Sequence, residues 1–185
     1  RAGIYRDEQG NELDAQQAGT VTYVEVKDIP AMGTGTIIFE EKKAEETEAE
    51  FTICGKNIET PYYSMSMNGY GQITRLYDKI FARDVLPKGE RANVFQMFED
   101  KPLDNDAWDI DIFYQEKMRE ITDMTKFEVI ECGPLQMKIH MEWNYMNSFI
   151  AQDMVLYSNT RRIDFRTTVD YHEQHQLLKV AFPVD

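Results

Sequence analysis

The sequence has few cysteines, with only Cys54 and Cys132 in 185 residues. The two lie far apart and match no metal-ligand spacing. A disulfide between them is possible, but nothing in the sequence requires one, so a reduced, cytoplasmic protein is favoured. The absence of any Asn-x-Ser/Thr glycosylation site points weakly the same way.

Long apolar runs and positive charge are also scarce. No segment approaches the roughly 18 apolar residues of a membrane span. Lys and Arg number 20 against 33 Asp and Glu, for a net charge of −13. Basic side chains hold phosphate backbones and anionic lipid surfaces, so nucleic acid and membranes are poor predictions for a partner. A neutral sugar needs no net charge and stays possible.

The sequence instead shows alternating apolar and polar residues. They alternate from Leu135 to Trp143 and again from Ile163 to Asp170, as in strands, where successive side chains face opposite ways. Residues 63–67 and 72–77 flank an Asn-Gly turn and predict a hairpin. Further strands are predicted at residues 20–27, 36–40, 51–54, 93–98, 127–131, 149–157 and 177–182, and the best helical candidate is the short segment 116–125. Many strands joined by short turns predict an all-β fold of antiparallel sheets packed face to face.

Residues 40–50 form a charged run with few apolar side chains and are typical of a linker. We therefore place a domain boundary there, between residues 1–45 and residues 46–185. About 45 residues are too few for a comfortable core of their own. Because the chain starts abruptly and ends on a strand entering a turn, we expect it to belong to a longer protein.

The densest group of chemically interesting residues lies between residues 98 and 114, with six carboxylates and several aromatic rings. In one interpretation this is a sugar-facing loop, in which carboxylates accept hydrogen bonds from hydroxyls and Trp108 lies against a pyranose ring. In the other, which residue chemistry alone favours, Trp108, Ile110 and Ile112 pack inward and the acids form a solvated edge. A calcium loop starting at Asp104 fails, because Trp108 would occupy its fifth position.

The three histidines, His140, His172 and His175, are best explained as surface residues. The spacing of His172 and His175 differs from that of the helical zinc motif. A role in proton transfer at the anomeric carbon of a sugar is an alternative for either of these two.

Several motifs in order along the chain resemble the α-mannosidases of glycoside hydrolase family 38. They are DIPAMG (28–33), NG (68–69), GQITRLYDK (71–79), RDVL (83–86), NVFQMFEDKP (93–102), DAWDID (106–111), ECGP (131–134), DFRT (164–167) and LKVAFPVD (178–185). The resemblance covers nearly the whole chain. One departure is Tyr171, where the family leads us to expect Trp.

The resemblance implies a fold and an activity. Members of the family are retaining, zinc-dependent exo-α-mannosidases, with the zinc ligands and the aspartate nucleophile in an amino-terminal catalytic domain. Residues 1–45 would finish a small β-sandwich. Residues 46–185 would begin a large supersandwich similar to galactose mutarotase. This chain would then hold no catalytic residue and no metal ligand, and it would meet the missing catalytic domain and the α-mannoside only as part of the whole enzyme.

The resemblance also changes the interpretation of the acidic segment between residues 98 and 114. We hypothesise that Asp106, Trp108 and Asp109 reach toward the catalytic domain, where they either line the sugar site or anchor the domain interface. Two other classes of function stay open for the chain: a lectin-like module that binds sugar without cleaving it, and a purely structural domain.

Overall fold

A computed structural model describes residues 3–42, 48–105 and 108–185. These residues form seventeen strands and one 3-10 helix, at Ile112–Glu116. The strands are β1 Ile4–Arg6, β2 Glu12–Leu13, β3 Ala15–Ala18, β4 Val21–Val24, β5 Ile38–Glu40, β6 Thr52–Cys54, β7 Asn57–Glu59, β8 Tyr63–Met67, β9 Ile73–Asp78, β10 Arg83–Asp84, β11 Val94–Glu99, β12 Met118–Glu120, β13 Met124–Cys132, β14 Gln136–Tyr145, β15 Ser148–Tyr157, β16 Ile163–Asp170 and β17 Gln176–Ala181. Among the described residues, no helix is long and apolar enough to cross a membrane.

The strands form antiparallel sheets, which confirms the all-β prediction. The two largest sheets have the strand orders β10-β9-β8-β7-β6 and β13-β14-β15-β16. Smaller sheets follow the orders β12-β11-β17, β2-β1-β5 and β3-β4. The strands predicted at residues 20–27, 36–40, 51–54, 93–98, 127–131, 149–157 and 177–182 all contain observed strands.

The core lies between the two largest sheets. Ile58, Met65 and Ile73 of the five-stranded sheet share one buried cluster with Ile139 and Met154 of the four-stranded sheet. Sheets that bury one face against each other in this way form a β-sandwich. The alternation predicted for β14 is confirmed, because its apolar side chains, Met137, Ile139, Met141 and Trp143, are all 0% exposed.

Trp143 fixes the hairpin between β8 and β9. Its indole Nε1 donates a hydrogen bond to the backbone oxygen of Tyr70 at 2.8 Å. The next residue, Gly71, has a φ of +77°, and a Cβ there would lie 2.5 Å from Cζ2 of Trp143. Glycine is therefore needed at position 71 both for its backbone conformation and for the closeness of the ring.

The prediction of a helix at residues 116–125 is wrong. Within this segment, Met118–Glu120 forms β12, which pairs with β11 in the register Met97↔Arg119. Met124 then begins β13. Short segments with a thin apolar stripe have little helical preference of their own, so pairing with a neighbouring strand decides their structure.

Residues 1–45 contact the four-stranded sheet through Gln16, which is 4% exposed. Its side-chain Oε1 accepts hydrogen bonds from the backbone nitrogens of Leu135 and Gln136, both at 2.8 Å. Its Nε2 donates to the backbone oxygen of Gln136 and to Oε1 of Glu131. The boundary that we place between residues 45 and 46 falls in 43–47, outside the described residues, and stays a prediction.

Candidate functional site

The acidic segment forms a long loop between β11 and β12, which we call the 100–117 loop. Of the predicted site residues, Asp106 lies outside the described residues. Trp108 is 89% exposed, and Ile110 and Ile112 are also exposed. The prediction that these three side chains pack inward is therefore wrong.

The base of the loop is closed by an ion cluster around Glu99. The backbone nitrogen of Glu99 donates to the backbone oxygen of Lys117 at 3.0 Å. The Glu99 carboxylate lies 2.5 Å from Nζ of Lys101 and 2.7 Å from Nζ of Lys117. The hydrogen bonds from these two lysines, Lys101 first, lower the pKa of Glu99 to about 2. The Glu99 carboxylate is therefore ionised, and available to both lysines, over most of the pH range.

An aromatic and cationic group lies beside this base. The rings of Phe98 and Tyr114 meet edge to face at 5.2 Å. Nζ of Lys179 donates to the Tyr114 hydroxyl at 2.9 Å and lies over both rings. The hydrogen bond from Lys179 lowers the pKa of Tyr114. The carboxyl-terminal end of the loop is thus tied to β17. This strand pairs with β11, from which the loop leaves.

The strand that returns from the loop is anchored to the core. Glu120 of β12 receives two hydrogen bonds from Arg91, at 2.7 and 2.9 Å. It receives a third from Nε2 of Gln72 at 3.0 Å. The pKa of Glu120 is lowered, chiefly by the hydrogen bond from Arg91. Bidentate pairs of this kind fix orientation as well as distance, so β12 is held in one position.

Inside the loop, backbone groups use some of the polar side chains. An Asp111 carboxylate oxygen accepts a hydrogen bond from the nitrogen of Leu103 at 3.0 Å. The nitrogens of Trp108 and Asp109 both donate to the backbone oxygen of Asn105. Trp108 and Asp109 are thus adjacent, exposed residues whose backbone nitrogens share one acceptor. These two residues can offer a flat apolar surface and a hydrogen-bond acceptor to a ligand or to another protein surface.

Among the residues that the structure describes, no three His, Cys, Asp or Glu side chains are grouped so that they could hold a metal ion. Nε2 of His172 lies 2.9 Å from Asp170. The carbonyl of His175 accepts a hydrogen bond from the nitrogen of Asp100. Glu173, between the two histidines, accepts from Asn147 and Ser148.

Sequence reasoning placed His140 on the polar face of β14 but missed its partners. His140 lies between two carboxylates, those of Asp153 and Glu142. The pairing of His140 with Asp153 could have been predicted from the β14–β15 hairpin. Its turn pairs Tyr145 with Ser148. Counting back from that turn places Asp153 opposite His140, because register is fixed by turn length.

The two cysteines form no disulfide in the structure. Cys54 and Cys132 are both free and exposed. Partial burial raises the pKa of the Cys132 thiol. The thiolate is the reactive form of cysteine, so this shift does not make Cys132 a nucleophile.

Comparisons with known proteins point to one family. The model of the C-terminal domain of glycosyl hydrolases family 38 matches residues 58–185. Alpha-mannosidase G of Dictyostelium discoideum is 32% identical over 128 residues, which are 66% of this chain and 12% of that protein. Alpha-mannosidase 2C1 of Homo sapiens is 29% identical over 117 residues, or 61% of this chain and 11% of that protein. The chain thus spans about an eighth of the length of these relatives.

A solved structure shares the fold. The crystal structure of an alpha-mannosidase from Enterococcus faecalis V583 superposes with a TM-score of 0.64 and 11% sequence identity. The superposition covers 97% of this chain and 26% of that chain. At this identity the likeness concerns the fold alone.

Proposed function

The chain belongs to glycosyl hydrolases family 38 through its C-terminal domain, and from that premise we propose that it is the non-catalytic β-sandwich portion of a retaining, zinc-dependent exo-α-mannosidase. The whole enzyme would hydrolyse terminal α-mannosides. The match over residues 58–185 carries this proposal, and the two relatives described above are both named alpha-mannosidases. Each relative is much longer than this chain, so the catalytic groups would come from the remainder of the enzyme.

The zinc of such an enzyme does not fit the residues described here. Because no three potential ligands are grouped among them, we assign no zinc-dependent step to this chain. We propose that the zinc ligands lie in the amino-terminal catalytic domain. The free cysteines Cys54 and Cys132 support a reducing, cytoplasmic setting for the enzyme.

The 100–117 loop is the part of this chain that we propose to face the catalytic domain. Asp106, Trp108 and Asp109 would either line the sugar site or anchor the domain interface. The exposure of Trp108 and of the next residue, Asp109, supports the first version, because aromatic rings and carboxylates can contact the apolar face and the hydroxyls of a sugar. The exposed apolar side chains of Leu103 and Phe113 in the same loop support the second, because an interface between proteins can bury such side chains.

Substitutions in the intact enzyme separate the two versions. If Trp108 contacts the sugar, Trp108→Ala removes about 1–2 kcal/mol of binding and lowers kcat/KM roughly five- to thirty-fold. Asp109→Asn lowers it as well. Unchanged kinetics in both variants would sink the sugar-lining version. The interface version predicts a lower Tm with normal kinetics instead. Phe81→Ala, which removes another exposed ring, is the matched control.

The purified chain tests the assignment of roles. We expect no hydrolysis of an aryl α-mannoside, and no heat of binding on titration with mannose, a short α-mannoside or zinc. Hydrolysis by the chain alone would overturn the proposal that catalysis lies elsewhere.

A lectin-like module is the second candidate, and the exposure of Trp108 favours it. Saturable binding of an α-mannoside that is lost in Trp108→Ala, without hydrolysis, would establish this alternative. Failure of Trp108→Ala to change that binding would place the sugar elsewhere on the chain.

A further inference from the structure

His140 lies at the centre of the four-stranded sheet, on its outer face. In the strand register it is opposite Glu128 of β13 and Asp153 of β15. Its neighbours along β14, Ile139 and Met141, are both 0% exposed on the inner face. The backbone at His140 is therefore fixed by the packing of its two neighbours in the core, and this fixes the position from which the His140 ring projects.

Both ring nitrogens of His140 face carboxylate oxygens. Nδ1 lies 2.7 Å from Oδ1 of Asp153, and Nε2 lies 2.9 Å from Oε1 of Glu142. Neutral histidine has one N–H donor and one acceptor, whereas ionised carboxylates only accept. Both contacts can be hydrogen bonds only when the ring carries two protons. The geometry is therefore that of an imidazolium.

The other charged groups on this face do not take the place of His140 as the cationic partner of Asp153. Nζ of Lys126 lies 3.1 Å from Glu128 and 3.9 Å from Glu142. Arg166 of β16 is opposite Asp153 in register, but its guanidinium lies 3.5 Å from the Tyr157 hydroxyl. Lys138, the preceding outward residue of β14, pairs with Glu131 at 3.2 Å.

The three side chains of the cluster are also partly shielded from water. Their exposed fractions are 22% for His140, 27% for Glu142 and 31% for Asp153. Among the described residues, His140 is the cation that forms a salt bridge with Asp153. Loss of its charge would leave a lone pair of the ring facing a carboxylate, with no other cation in contact with Asp153.

We propose that His140, Asp153 and Glu142 form a pH-sensitive clip that joins β14 to β15 while the ring is doubly protonated and loosens when the ring loses a proton. The hydrogen bond to Asp153, followed by that to Glu142, raises the pKa of His140 above 6.5. This direction agrees with the geometry, although burial of the ring opposes it. The clip concerns the sheet itself and does not depend on the proposed mannosidase function.

The sign of the pH dependence follows from this direction. A group whose pKa is higher in the folded protein stabilises it fully below the unfolded pKa, which for histidine is about 6.5. That stabilisation is lost as pH rises through the folded pKa. The clip is therefore closed in mildly acidic solution and opens as pH rises through the raised pKa of His140.

Nitrogen NMR of the ring in the 185-residue chain tests the charge state directly. At pH 6 we expect both ring nitrogens of His140 to be protonated, with a titration midpoint above 6.5. Asp153→Asn and Glu142→Gln should each lower that midpoint, and Asp153→Asn should lower it more. A titration midpoint at or below 6.5 would overturn the proposal.

Urea unfolding tests the consequence for the sheet. The wild-type protein should have a higher urea midpoint than His140→Gln at pH 6, and this difference should shrink at pH 9. His172→Gln is the matched control, because His172 contacts one carboxylate at an exposed position, and it should keep the wild-type pH dependence. An equal difference between wild type and His140→Gln at both pH values would refute the clip. If His140→Gln does not fold, the ring titration of the wild-type protein decides alone.

Discussion

Replacement of Gln16 by Ala should destabilise the protein. The side chain is 4% exposed and makes four hydrogen bonds to the four-stranded sheet. Two of them satisfy the backbone nitrogens of Leu135 and Gln136, residues that are themselves buried. A buried donor left without a partner costs about 1–3 kcal/mol. Because water entering the vacated space recovers part of this cost, we expect a net loss of about 3 kcal/mol.

The assay is urea unfolding followed by the emission of the buried Trp143, together with amide exchange at Leu135 and Gln136. Both amides should exchange faster in Gln16→Ala. Gln17→Ala is the control, since Gln17 is the next residue of β3 and is exposed, with bonds only to Gly19 and Thr22. An exposed substitution of this kind should change stability by at most about 0.5 kcal/mol.

Gly133 supplies a second, independent readout of the same contact. A Cβ at Gly133 would lie 2.5 Å from Cδ of Gln16. Gly133→Ala should therefore cost about 1–3 kcal/mol alone, as overpacking does, and less in the Gln16→Ala background, where the obstacle is gone. Equal effects of Gln16→Ala and Gln17→Ala, together with additive effects at Gly133, would refute the reasoning.

Two further predictions concern the hairpin and the base of the loop. Gly71→Ala should lower the free energy of unfolding in urea by about 2–4 kcal/mol, because the φ of Gly71 is +77° and a Cβ there would meet Trp143. Gly69→Ala is the control. A Cβ at Gly69 would have nothing within 4 Å, so this change should lower the free energy of unfolding by about 1 kcal/mol or less. The carboxyl carbon of Glu99 should titrate near pH 2 by NMR, and Lys117→Met should raise that midpoint toward 4.5. The Glu99 pKa is lowered on folding, so its contribution is present above about pH 4.5 and is lost as pH falls through about 2. A midpoint unchanged in Lys117→Met would contradict the ion cluster.

The sequence allowed the long strands to be predicted because one of their faces is buried. In β14 every second residue from Met137 to Trp143 lies in the core, so the pattern of the sequence and the pattern of burial coincide. The strands β1, β2, β3, β7 and β10 were missed, and β12 was predicted as part of a helix. They have two to four residues each, too few for alternation to be visible, and pairing with neighbouring strands determines them.

The candidate site was harder to predict for a related reason. The composition of the 100–117 loop could be read from the sequence, but its shape depends on contacts with distant residues. Lys179 is 65 positions from Tyr114, and Arg91 is 29 positions from Glu120. Charge runs usually face water and Trp usually packs inward. In this loop Trp108 also faces water, so general preferences led to the wrong prediction for it.

The exposed apolar side chains of the loop bear on what the loop contacts. The base uses ion pairs, aromatic contacts and a strand pairing, whereas the loop also leaves Leu103, Trp108 and Phe113 exposed. Exposed apolar side chains gain no hydrophobic stabilisation while they face water. Their exposure in this loop therefore favours a contact with a surface outside this chain. Leu103 and Phe113 have no side-chain group that could bond to sugar hydroxyls, whereas Trp and Phe beside aliphatic side chains are typical of the buried centre of protein interfaces. The exposed apolar residues therefore favour the interface version of the proposal over the sugar-lining version. In the interface version, Trp108→Ala lowers the Tm of the intact enzyme and leaves kcat/KM unchanged.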